Sequence, residues 1–133
     1  MDTERSNIEY YPAESMKTVP FSEAVRVEKM LYLSGQIGID ASGNVVPGGI
    51  ASETRQAMEN IRTTLERRGS SLDRVIKVTV MLADMAEWTE MNKVYVTYFE
   101  KHLPARSSFG TTGLALGARV EIECIAVLDY QLL

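Results

Sequence analysis

The stretch that most limits how this chain can fold is its last apolar run. Between Arg119 and Tyr130, Val120, Ile122, Cys124 and Ala126 alternate with Ile125 and Val127, so a strand here is apolar on both faces. Such a strand needs cover on both sides. Only two upstream segments have the spacing of an amphipathic helix, and two helices cover one face of one sheet. The other face, left in water, would be a large apolar patch. The pattern therefore predicts that a further copy of the chain supplies the second cover, and pattern alone leaves dimer and trimer both open.

The rest of the chain supports a single α+β domain over residues 1–133, with residues 1–20 as a less regular lead-in containing Pro12 and Pro20. Phe21–Glu28 alternates in the strand manner, a turn at Glu28-Lys29 follows, and Met30–Ser34 reads as a second strand. From Ile50, small or apolar residues recur at Thr54, Ala57, Met58, Ile61 and Leu65, one buried stripe of a helix. Arg67, Arg68 and Gly69 suit its C-terminal end. A strand with Ile76, Val78, Val80 and Leu82 on one side comes next. A second helix is expected from about Met85 to His102, with Trp88, Met91, Tyr95, Tyr98 and Phe99 inward and Pro104 at its end. Strands at about 106–111 and 119–130 complete a β-β-α-β-α-β-β order.

Composition narrows the function classes. Among 133 residues, 45% are hydrophobic and 24% charged, enough for a core without disulfide or metal staples. One cysteine and one histidine cannot build a zinc cluster. Lone Cys124 suits a reducing compartment, and a polar start with no run of 18 apolar residues points to a cytoplasmic protein that spans no membrane. The net charge of −4 argues against general affinity for nucleic acid.

No phosphate loop, Gly-x-Ser-x-Gly or HExxH motif is present. His102, at the expected helix end, is placed to complement the dipole. Cys124, on the face of Ile122 and Ala126, reads as a small buried hydrophobe rather than a nucleophile. Trp88 and the tyrosines at helical spacing read as core or interface residues. Two features carry chemistry. In Pro104-Ala-Arg-Ser-Ser108, an arginine begins a strand directly after a helix-ending proline, and its rigid fork of donors matches a carboxylate. Taken alone, a solvated or structurally paired arginine is the commoner occupant of such a position. Glu121 and Glu123 share one side of an otherwise apolar strand, where a carboxyl tends to have a raised pKa. An ion pair with Lys77 or another base is the alternative. Arg106 and Glu121 are 15 residues apart, on the last two strands, which are read as adjoining. An anion clamp and a proton shuttle facing one pocket are compatible with this spacing but not required by it.

Taken together, Ser34-Gly-Gln-Ile-Gly38, Gly49-Ile50, Thr54-Arg-Gln-Ala-Met-Glu-Asn60, Lys77-Val-Thr-Val80, Asp84-Met85, Met91-Asn-Lys-Val-Tyr95, Pro104-Ala-Arg-Ser107 and Leu116-Gly-Ala-Arg-Val-Glu-Ile-Glu123 resemble the Rid (YjgF-type) family over about residues 20 to 128. The resemblance implies a chorismate-mutase-like α+β fold, with two helices on one face of a mixed sheet. It also implies a homotrimer with clefts between subunits. Active members hydrolyse 2-aminoacrylate and related short 2-imino acids to 2-oxo acids and ammonia, without metal or cofactor. By position, Arg106 is the family's carboxylate-binding arginine, and Glu121 the glutamate that positions or activates water. Phe21, Ser34, Gly35, Asn92 and Ser108 then line the cleft, partly from the neighbouring subunit.

The chain departs from the family's Gly-Pro-Tyr-Ser-Gln-Ala segment, having Val19-Pro-Phe-Ser-Glu-Ala24, and its Leu114-Ala115 replaces Leu-Pro. Phe21 lacks the hydroxyl of the usual tyrosine, and Glu23 is expected to bring a negative charge near the cleft mouth. The leading expectation is therefore an imine deaminase. A non-catalytic sensor of 2-oxo or amino acids is the alternative that Phe21 and Glu23 favour. A ribonuclease-type translation inhibitor is a third reading, against which the acidic balance counts.

Overall fold

The computed structural model describes residues 7–13 and 18–129. Its elements are β1 (Ile8–Pro12), β2 (Ser22–Val27), β3 (Met30–Ile37), α1 (Ile50–Arg67), β4 (Val75–Leu82), α2 (Trp88–Tyr95), β5 (Ala105–Gly110) and β6 (Val120–Val127). The strands form one six-stranded sheet in the order β1-β2-β3-β6-β4-β5, and both helices lie over one face. Only β4 and β5 pair in parallel, so the sheet is mixed and the fold is α+β.

Alternation decides which side chains enter the core. Leu31 and Leu33 of β3, Val78, Val80 and Leu82 of β4, and Val120, Ile122, Cys124 and Ala126 of β6 are buried beneath the helices. The α1 stripe predicted from spacing, Ile50 to Leu65, packs onto them. Gly69 (φ 90°) ends that helix in the left-handed conformation, and Ser70 N–H returns to the Leu65 carbonyl at 2.8 Å.

The opposite face receives nothing from the described residues. Cross-strand pairing sets Tyr10, Val25, Tyr32 and Ile125 in one row, and Phe109, Met81, Glu121 and Ile37 in another. Tyr10, Tyr32 and Phe109 are exposed there. β6 is thus apolar on both sides and covered on one.

Four expectations need correction. Ile8–Pro12 within the supposedly irregular lead-in is a strand, paired antiparallel with β2. Ile76 does not join Val78, Val80 and Leu82 inside, because a bulge sets Val75 opposite Ala126 and Lys77 opposite Ile125. The extra residue is left out of the alternation, and Ile76 is exposed. The second helix is also shorter than its apolar stripe. A 3-10 turn over Met85–Glu87 precedes α2, a second over Val96–Tyr98 follows it, and Phe99 is extended. His102 therefore lies in the connection beyond, away from any helix end, and Trp88 is exposed where an inward position was expected. Finally, Arg106 and Glu121 do not lie on adjoining strands, since β4 runs between β5 and β6. Among the described residues, no helix is long and apolar enough to cross a membrane.

Candidate active site

Arg106 enters the sheet at the second residue of β5, opposite Val78 of β4, and so points to the helix side. There α2 meets it with two aromatic rings. The guanidinium carbon is 4.7 Å from the centroid of Tyr95 and 5.9 Å from that of Trp88, both within cation–π range. The Arg106 side chain is half-buried, has no ion pair among the described residues, and interacts with the Tyr95 hydroxyl beside it. Most other arginines in the structure pair with an acid. A half-buried, uncompensated guanidinium is costly unless something anionic completes it.

Its surroundings are short of partners too. Ser108 lies two residues along β5 on the same face, and helical spacing puts Asn92 between Trp88 and Tyr95. Ser108 Oγ, Asn92 Oδ1 and Tyr95 Oη are all buried with no hydrogen bond among the described residues. Such orphans are uncommon in finished structures. Burial pushes the Tyr95 phenol up to about 12, an effect that the Arg106 charge only partly offsets, so the hydroxyl keeps its proton.

The second half of the predicted site lies elsewhere. Glu121 projects from the uncovered face of β6, opposite Ile37 and Met81. β3 carries a bulge here, so Ser34 and Gly35 together face one residue of β6. The Glu121 carboxyl lies over Gly35, where a Cβ would overlap Glu121 Oε2. Burial first, and the Glu123 charge second, raise the Glu121 carboxyl above its ordinary range. Neither acid has an ion pair among the described residues, and Lys77 instead donates to Ser107 Oγ at 3.2 Å. Ser34 Oγ donates to the Ser22 carbonyl at 2.6 Å, which ties β3 to the start of β2 beside exposed Phe21.

The predicted residues thus fall into two groups, Arg106, Asn92 and Ser108 at the β5–α2 edge and Ser34, Gly35 and Glu121 on the open face, with Phe21 exposed just ahead of β2. Crossing β4 takes roughly 10 Å sideways and the three-residue offset adds roughly 10 Å along the strands. The two groups also stand on opposite faces of the sheet. One chain does not bring them together.

Glu23 is a further correction. Instead of charging a cleft mouth it is buried on the helix side. Arg67 donates to both of its oxygens at 2.8 Å, and Arg68 Nε to Oε2 at 3.0 Å. Cys124 is buried as expected, its thiol pushed up to about 12 chiefly by burial. Sequence reasoning missed Trp88 and Tyr95 as neighbours of the arginine. Their seven-residue spacing, just upstream of Pro104-Ala-Arg106, was the available signal.

The sequence model of the family described as Endoribonuclease L-PSP matches residues 13–128, nearly the whole chain. The chain belongs to this family, the YjgF/Rid family. Among curated Rid relatives, the mouse 2-iminobutanoate/2-iminopropanoate deaminase is 46% identical over 109 residues, covering 81% of each chain. Two solved Rid structures superpose closely. The crystal structure of yeast Mmf1 has a TM-score of 0.82 at 37% identity, over 90% of this chain and 93% of that one. That of RidA from an Antarctic Psychrobacter gives 0.80 at 32%, over 92% and 98%.

Proposed function

We propose that this Rid protein hydrolyses short 2-imino acids, such as 2-iminobutanoate and 2-iminopropanoate, to 2-oxo acids and ammonia. The observation that carries this reading is Arg106, half-buried, uncompensated and ringed by unpartnered polar atoms. Relatives over 40% identical that carry the deaminase name support it. The site is a cleft between subunits of a homotrimer, with Arg106, Asn92 and Ser108 from one copy and Phe21, Ser34, Gly35 and Glu121 from the next. Lone buried Cys124 suits a reducing compartment, and we place the reaction in the cytoplasm.

Arg106 holds the substrate carboxylate through its fork, which fixes the plane of the C=N bond in a molecule with few other handles. Glu121 takes a proton from water as the oxygen attacks the carbon of the protonated imine, giving a neutral carbinolamine. Its acid form then protonates the nitrogen of the resulting carbinolamine. The C–N bond breaks, ammonia leaves, and the hydroxyl proton is lost to give the 2-oxo acid. One carboxyl with a raised pKa serves as base and then as acid near neutral pH. Phe21 supplies an apolar wall without a donor, so water depends on Glu121 alone at that side.

Coupling the protein to a threonine dehydratase, in a buffer that slows spontaneous hydrolysis, tests the reading through the rate of 2-oxobutanoate appearance. Acceleration by the wild type, lost in Arg106→Ala, is expected. No acceleration, or equal acceleration by the variant, refutes it.

A further inference from the structure

Most arginines elsewhere in the structure are held by acids, even where a ring lies beside them: Arg67 and Arg68 by Glu23, Arg62 by Glu59, and Arg119 by Glu87, with Tyr98 also against Arg62 and Tyr11 against Arg68. Arg106 is held by aromatic faces. That difference has a chemical consequence. An acid that fixed this guanidinium would neutralise it and compete with any incoming carboxylate. The negative face of a ring attracts the same cation with its quadrupole and leaves both the charge and the donors available. The two rings come from one helix at seven-residue spacing, so α2 sets them against Arg106 as a unit.

Resting on the deaminase reading, we propose that Tyr95, assisted by Trp88, is the positioning residue for Arg106, its ring aligning the guanidinium toward the cleft while leaving it uncompensated for the substrate carboxylate. Tyr95 is buried and its hydroxyl is out of reach of solvent, so it acts through Arg106 and not on substrate. Trp88 is 42% exposed and forms the outer, more distant wall.

The test compares wild type with Tyr95→Phe, Tyr95→Leu and Trp88→Leu in the coupled imine assay. In parallel, NMR titration measures binding of 2-oxobutanoate and of its uncharged primary amide. Losing the Tyr95 ring is expected to raise KM and weaken 2-oxobutanoate binding roughly tenfold, and losing the Trp88 ring roughly threefold. Tyr95→Phe, which keeps the ring, restores most of the affinity. Amide binding, which does not use the charge, stays level throughout. The proposal is overturned if both leucine variants bind 2-oxobutanoate like wild type, or if Tyr95→Phe is as weak as Tyr95→Leu. Equal loss of acid and amide overturns it too, since that marks general damage. Because Trp88 is exposed, its variant reports even if Tyr95→Leu folds poorly. Should the wild type show no turnover, the deaminase reading falls while the titrations still decide the role of Tyr95.

Discussion

At Gly35 the backbone of β3 and the carboxyl of Glu121 share a space that a single methyl would fill. Gly35→Ala is therefore expected to displace the carboxylate and lower kcat/KM at least tenfold. Its melting temperature should change little, because the site faces away from the core. Steady-state kinetics beside a thermal melt separate the two effects. Glu121 itself predicts a pH dependence. Burial and Glu123 raise its pKa, and the ionised form is the base, so activity falls on acidification at a higher pH than an ordinary carboxylate would give. Glu123→Gln removes the like charge, lowers that pKa and moves the acidic limb of the kcat/KM profile to lower pH. An unmoved limb would assign the proton to another group. Both acids and Arg106 were legible in the sequence as residue types in a family pattern. Their separation was not, because it depends on β4 inserting between two strands that are consecutive in the chain and on the register each of them makes with it.

Elements were legible where a period repeated and illegible where it broke. The α1 stripe and the alternation of β6 run long enough to fix their faces, and both were read correctly. β1 is five residues at a sheet edge, mostly exposed on both sides, and offers no alternation to detect. At Ile76 the bulge shifts the phase by one residue, which no composition announces. The apolar stripe of α2 continues to Phe99 although the helix does not, since a 3-10 turn also presents residues three apart on one side. Glu23 shows the same limit: its charge was visible, but its partners at the end of α1 were 44 and 45 residues away. There it joins β2 to the last turn of α1 as a buried acid between two arginines. Glu23→Gln should cost about 2 kcal/mol in urea unfolding, because it removes the buried charge to which both guanidiniums donate. The kcat/KM of the folded variant should stay at the wild-type value, because Glu23 on β2 is separated by three strands from Arg106 on β5 and lies on the face opposite Glu121. A large kinetic defect in a stably folded variant would return Glu23 to the cleft.

For the whole molecule, two independent observations support the proposed assembly. The open face of the sheet carries Tyr10, Val25, Tyr32 and Ile125 in one cross-strand row, which a second copy would cover. The proposed site residues are divided between that face and the β5 edge, which one chain does not bring together. If each cleft takes Arg106 from one copy and Glu121 from the next, inactive chains should complement each other. Arg106→Ala and Glu121→Gln chains, each inactive alone, can be unfolded together and refolded as an equimolar mixture. A working cleft then needs an Arg106-bearing copy beside a Glu121-bearing copy in the right order, which random assembly of a cyclic oligomer provides in about a quarter of the interfaces. Roughly a quarter of the wild-type rate should therefore return, although neither parent contributes any. If both residues served one cleft within a single chain, every cleft in the mixture would lack one of them and the rate would stay at zero. A charge placed in the apolar row, as in Ile125→Asp, should abolish the recovery by keeping the copies apart, with size-exclusion chromatography showing monomer in the same sample.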